Sequence, residues 1–232
     1  MGMRKGRKIL LCLCVLAAGR GVHGQEVTIV PAAPTHFFYT PAAYVNPPWH
    51  LVVGLHEISF AFPGNLQVQL SLVDNIGRIN FGAKYGILDR LSVGAGLAHT
   101  VVHFGYGDHG IPNHARPRLG VFLCYGTPRT GAFEWSVTAH TQIGDHVSVG
   151  GDFGLMATPS DWWSFIFEIG TSVDLMDALL WVNADGGIRV HPPSVPFLYF
   201  DAGVDLAEFP VKENPGIGVS PYFDVIFAME TR

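Results

Sequence analysis

The stretch "KYGILDRLSVGAGLAH", residues 84–99, reads as two strands and a tight turn. Counted from residue 79, apolar side chains fall on every second position: Ile79, Phe81, Ala83, Tyr85 and Ile87, then Leu91, Val93, Ala95 and Leu97. The residues between them are mostly glycine, serine or lysine, and "LDR" at 88–90 marks the turn. Successive strand side chains point to opposite faces, so this alternation gives each strand one apolar and one polar face. The same period runs on to the end of the chain. No helical period is sustained over three turns.

Composition sharpens the question of which solvent each face meets. The 232 residues are 48% hydrophobic and only 14% charged, whereas a soluble domain carries roughly 25% charged residues. Residues 1–24 read as an export signal: Arg4, Lys5, Arg7 and Lys8 are basic, and an apolar run follows from Ile9 to Ala18. That run is shorter than the about 20 residues a spanning helix needs. Cleavage is expected before Gln25. It would leave nine basic and nineteen acidic residues, a net charge of −10, with Cys124 as the single cysteine. Such an acidic chain argues against nucleic-acid binding. A lone cysteine forms no intrachain disulfide and reads as a small hydrophobe.

Residues 25–48 form a proline-rich lead segment, with Pro31, Pro34, Pro41, Pro47 and Pro48. From Trp49 onward, eleven strand-like runs follow at about 50–62, 66–74, 78–87, 91–103, 117–126, 132–143, 147–156, 162–173, 179–190, 197–207 and 216–227. Most are longer than the about 5–6 residues of a globular strand, and match the about 9–11 of a tilted transmembrane strand. Short turns such as "TPRTG" at 127–131, "GDH" at 144–146 and "TPSD" at 158–161 imply antiparallel neighbours. One connection, 103–117, is long. Bacterial single-chain barrels have even strand numbers. The expectation is therefore twelve strands, the lead supplying the twelfth near His36–Thr40, or ten as the alternative. Otherwise the lead lies across the barrel mouth.

Two architectures suit two-faced strands. In a soluble sandwich the apolar faces meet inside; in a transmembrane barrel they face lipid and the polar faces line the lumen. In "AFEWSVTAHTQI", 132–143, Phe133, Trp135, Val137, Ala139 and Ile143 oppose Glu134, Ser136, Thr138, His140 and Gln142. After residue 24 only two lysines remain, Lys84 and Lys212, and the polar face is rich in small residues such as Gly94, Gly120, Gly154 and Gly170. Small residues suit a crowded concave interior, whereas glycine on an exposed strand only weakens it. Aromatics near strand ends (Trp49, Tyr85, Trp162, Trp163, Trp181, Tyr199, Tyr222) read as interfacial girdles. The fold class expected is all-β: an antiparallel up-and-down transmembrane β-barrel over 49–232.

The stretch "KYGILDRLSVGAGL" also resembles a hairpin of many small bacterial outer-membrane β-barrel proteins, in which Lys/Arg-Tyr-Gly-Ile/Leu-x-Asp-x-Leu-x-Val/Leu-Gly recurs. Here it is Lys84, Tyr85, Gly86, Ile87, Asp89, Leu91, Val93 and Gly94. The resemblance implies a porin-like or transport-associated protein of the bacterial outer membrane, surrounded by lipid and inserted by the barrel-assembly machinery. It covers one hairpin. The C-terminus departs from the family's pattern of ending on an aromatic, because "AMETR" follows Phe227.

The expected lumen carries Glu134, Asp152, Glu168, Asp185, Asp201, Asp205 and Asp224, with His140, and with Arg78, Lys84, Arg118 and Arg189 as counter-charges. An open acidic lumen would pass small solutes and favour cations. Charges that pair with one another would close it, which a small barrel permits. His99, His103, His109 and His114 lie on or beside the long connection, but their spacing matches no metal motif, so no metal or other cofactor is expected. Ser136 and His140 share a face but lie about 13 Å apart along a strand at 3.3 Å per residue, beyond hydrogen-bond reach. The chain is therefore read as a channel for small solutes and not as an enzyme. Two alternatives stay open: a structural or adhesive barrel with a closed lumen whose external loop 103–117 binds a partner, and a secreted soluble β-sandwich with a binding role.

Overall fold

A computed structural model describes residues 40–71, 78–100, 118–128, 132–144, 146–178, 180–210 and 219–231, excepting the side chains at 78, 79, 99, 100 and 207–210. Twelve strands follow in chain order: β1 (His50–Val53), β2 (Ile58–Phe62), β3 (Leu66–Leu70), β4 (Arg78–Leu88), β5 (Leu91–Thr100), β6 (Arg118–Gly126), β7 (Phe133–Ile143), β8 (Val147–Ser160), β9 (Trp163–Asp174), β10 (Leu180–Val190), β11 (Leu198–Pro210) and β12 (Val219–Glu230). Each pairs antiparallel with the next, and β1 pairs antiparallel with β12 to close the barrel. The expected hairpin is present, with Lys84 opposite Gly94 and Tyr85 opposite Val93.

The strand number is twelve, but the twelfth strand does not come from the lead. The run at 50–62 breaks into β1 and β2 around a reversal at 54–57, closed by the Gly54 amide donating to the Glu57 carbonyl at 2.6 Å. The alternation carries the mark of this break: Leu51 and Val53 take odd positions, whereas Ile58, Phe60 and Phe62 take even ones. A change of phase cannot occur within one regular strand. Residues 36–39 lie outside the described part, and residues 40–46 run inside the barrel, not across its mouth. A further boundary moves. The stretch "TPSD" is no turn; β8 continues to Ser160 through an irregularity after Ala157, and the chain reverses at Asp161–Trp162. The β2–β3 reversal uses Gly64 and Asn65 at positive φ (84° and 61°), as tight hairpins require.

The wall separates solvents as a membrane barrel does. Phe81, Tyr85, Leu97, Leu119, Val121, Leu123, Phe133, Val137, Phe165, Phe167, Phe223 and Phe227 are exposed on the outside. Lys84, Glu134, Glu168, Asp185, Arg189, Asp201 and Asp224 are buried on the inside. A soluble sandwich needs the reverse distribution. Two of the expected girdle aromatics belong elsewhere: Tyr199 and Tyr222 are buried. Tyr199 packs with Val52, Ile226 and Ala228, and Tyr222 with Met156 and Ile166. Trp49, Tyr85 and Trp162 remain exposed. Trp162 and Trp163, adjacent in sequence, pack edge to face at 6.2 Å because Trp162 lies in the reversal and not in the strand.

Antiparallel alternation assigns the connections to two ends. The proximal end holds the turns at 63–65, 89–90, 127–132, 161–162 and 191–197, and both ends of the wall, at Trp49 and Thr231. At the distal end lies the reversal 54–57, and there β3, β5, β7, β9 and β11 end and β4, β6, β8, β10 and β12 begin. The wall is uneven, because β1, β2 and β3 have four or five residues and the others nine to fourteen.

Phe167 is 46% exposed in the middle of β9. Phe167→Arg is expected to cost about 2–4 kcal/mol if that face meets the bilayer midplane, measured by denaturant titration of protein folded in lipid vesicles. A change within about 0.5 kcal/mol, the usual effect of a water-exposed surface substitution, would refute the lipid-facing assignment.

Candidate functional site: a lumen filled by the lead segment

The small residues of the polar face make room for side chains from neighbouring strands. A Cβ on Gly94 would collide with the ring of Phe122, which crosses it from β6. One on Gly170 would collide with Asn183 and Asp152, which meet above it from β10 and β8. Glycine at these two places lets large side chains fold across the wall into the lumen.

The proximal part of the lumen holds residues 40–46. Thr40, Ala42, Ala43, Tyr44 and Asn46 are buried there. The segment is tied to the wall at several places. The Thr40 amide donates to Glu168 Oε1 at 2.9 Å. The Pro41 carbonyl accepts from Ser136 Oγ at 2.9 Å and from Cys124 Sγ at 3.1 Å. Lys84 Nζ donates to the Ala42 carbonyl at 3.3 Å. The Tyr44 hydroxyl donates to Glu134 Oε2 at 3.2 Å, and the Asn46 amide to Gln67 Oε1 at 3.2 Å. These contacts spread over β3, β4, β6, β7 and β9. An irregular segment inside a barrel must satisfy its own backbone from the wall, and the polar face supplies the partners. Two prolines, Pro47 and Pro48, carry the chain out to Trp49. Trp49 has φ 67°, a conformation bulky residues seldom adopt. Its amide donates to the Ala61 carbonyl of β2 at 2.7 Å and its carbonyl accepts from the amide of Thr231, just after β12, at 2.7 Å, so the two strands flanking β1 fix this reversal.

Glu134, Glu168, Asp185, Arg189, Asp201 and Asp224 are buried, and most are committed to partners. Arg189 and Asp201 form a buried two-pronged pair, Nε to Oδ1 at 2.8 Å and Nη2 to Oδ2 at 2.7 Å. Asp224 does not line an open path: it accepts the amides of Leu55 at 2.7 Å and His56 at 3.2 Å and so holds the 54–57 reversal. His140 Nδ1 lies 2.9 Å from Asp152 Oδ2, both half-buried. Asp185 stands opposite Glu168 on one side and Asp205 on the other, in register across β9, β10 and β11. Asn183 Nδ2 reaches Asp185 Oδ2 at 3.5 Å. Arg118 shares the lumen face of β6 with Phe122 and Cys124, because Leu119, Val121 and Leu123 point outward. Arg78, His99, His103, His109 and His114 have side chains outside the described part. Ser136, bound to the lead, and His140, facing Asp152, engage different partners. Cys124 is buried, but as a donor to the lead and not merely a small hydrophobe. His191, in the β10–β11 connection, is held below the ordinary imidazole value by burial and by the Arg189 guanidinium. Its neutral form is the one the fold keeps, so protonation in acid works against the folded state.

No protein-family model matches the chain, and no curated protein matches it. Among solved structures it is similar to the crystal structure of an outer membrane channel from Pseudomonas putida F1, at 11% identity and a TM-score of 0.48, over 78% of this chain and 82% of that one.

Breaking the buried Arg189–Asp201 pair from one side strands a charge. Arg189→Met is expected to cost about 3–5 kcal/mol. Arg189→Met combined with Asp201→Leu should recover most of that loss. Denaturant unfolding of the two variants in the same detergent checks it, and equal stability of single and double variants would refute it.

Proposed function

We propose that the chain is a non-enzymatic outer-membrane β-barrel that acts as a gated channel for small solutes, with a preference for cations, and that residues 40–48 are its gate. The observation that carries this reading is the way the lumen is closed. The wall does not fill its own interior with apolar bulk. It leaves space for a separate stretch of chain and holds it by hydrogen bonds from one end. Such bonds contribute about 0.5–1.5 kcal/mol each and exchange readily for water once the segment leaves. The path then uncovered carries Glu134, Glu168, Asp185 and Asp205 against Lys84, a net acidic lining that favours cations. On this reading the proximal end, with both ends of the wall, faces the periplasm. The distal connections, 101–117 among them, face outward.

Planar-bilayer conductance tests it. The chain from residue 25 should be silent or open rarely. A variant lacking 25–48 should give frequent, cation-selective steps. Both proteins are first shown to be folded by a heat-dependent gel shift. A folded but silent deletion variant would reject the gate and favour a closed structural barrel acting through its outer loop. Equal conductance in both proteins would reject residues 40–48 as the closure.

A further inference from the structure

At the distal end, two neighbouring reversals bring together three side chains that the lumen does not use. His146 lies in the β7–β8 connection. Asp174 ends β9, and Asp177 lies in the β9–β10 connection. Pairing of β8 with β9 places these connections side by side, and the Leu175 amide donates to the Val147 carbonyl at 2.8 Å. One oxygen of Asp174 builds its own turn: Oδ1 accepts the amides of Met176 at 2.8 Å and Asp177 at 3.3 Å. Its other oxygen, Oδ2, is left pointing at His146 Nδ1, 2.9 Å away, with Asp177 Oδ2 3.5 Å from the same nitrogen.

The imidazole nitrogen is the informative atom. His146 Nδ1 itself is closed off from solvent, although the side chain is 36% exposed, and it faces Asp174 Oδ2 at 2.9 Å without a well-aligned hydrogen bond. A ring N–H serving a simple ion pair would be aligned with that oxygen. Here the nitrogen and the two oxygens instead converge, and all three donor atoms lie within 4.8 Å of one another. Donors about 2.0–2.1 Å from a tetrahedral zinc stand about 3.3 Å apart, so the separations found need to change by only a few tenths of an ångström at the closest pair. One imidazole and two carboxylates form a borderline donor set that suits a divalent first-row transition ion, whereas calcium and magnesium take oxygen donors alone.

We propose that His146, Asp174 and Asp177 form a binding site for a divalent first-row transition ion of the zinc class at the distal rim. Three protein donors leave a further coordination position for water or an external ligand. The ion would bridge the β7–β8 and β9–β10 connections and pin two hairpin ends to one another.

The test uses the folded chain in detergent, stripped with chelator and titrated with zinc against a competing indicator. One equivalent should bind in the presence of excess calcium and magnesium. His146→Ala should abolish that equivalent, and Asp177→Asn should weaken it by about tenfold or more. Both substitutions lie in distal connections, and the heat-dependent gel shift verifies that each variant is folded. Cobalt in place of zinc should give visible d–d absorption that disappears in His146→Ala. If zinc binds no tighter than calcium, or if folded His146→Ala keeps its full stoichiometry, the three residues are an ordinary imidazole–carboxylate ion pair and the proposal fails.

Discussion

Closure of the backbone ladder between β1 and β12 is the constraint on which the rest of the structure depends. A strand edge in hydrocarbon has no water to satisfy its amides and carbonyls, so a sheet in a bilayer must close on itself. Here closure passes through a strand of four residues, His50–Val53, paired with Phe227–Glu230. So short a seam needs support from elsewhere. It comes from inside, where Val52 packs with Tyr199, Ile226 and Ala228. It also comes from both ends of the seam: Asp224 holds the reversal after β1, and Thr231 and Ala61 hold Trp49 before it.

Once the barrel is closed, the lumen becomes the core, and it must be assembled from the polar face. Ordinary cores are apolar because burying a polar group without a partner costs free energy. This lumen answers the same requirement by pairing: Arg189 with Asp201, His140 with Asp152, and Lys84, Glu134 and Glu168 with the lead segment. The lead is therefore part of the folded interior as well as a closure. Its removal would return several polar groups to water and not strand them.

Much of the wall was legible from local pattern. Period 2, the scarcity of lysine, small residues on the polar face and the hairpin at 84–94 all point to a membrane barrel. Each reflects a constraint acting within one strand or one turn. The site was legible as a list of lumen residues but not as an arrangement. Glu134 and Glu168 are predictable as inward-facing carboxylates, yet nothing near them in sequence announces that Tyr44 and Thr40 are their partners. The split of 50–62 was visible as a change of phase. It becomes obvious only when β1 is seen to pair with β12.

The sequence by itself determined the faces of the strands, the antiparallel order of neighbours and the sign of charge inside, because alternation and turn chemistry are local. Tertiary structure alone decided where the lead segment lies, that Asp224 serves a reversal and not an open path, and that His146 meets Asp174 and Asp177. Those contacts join residues far apart in the chain. Their distances follow from closing twelve strands into one ring, a condition that no single segment of the sequence can express.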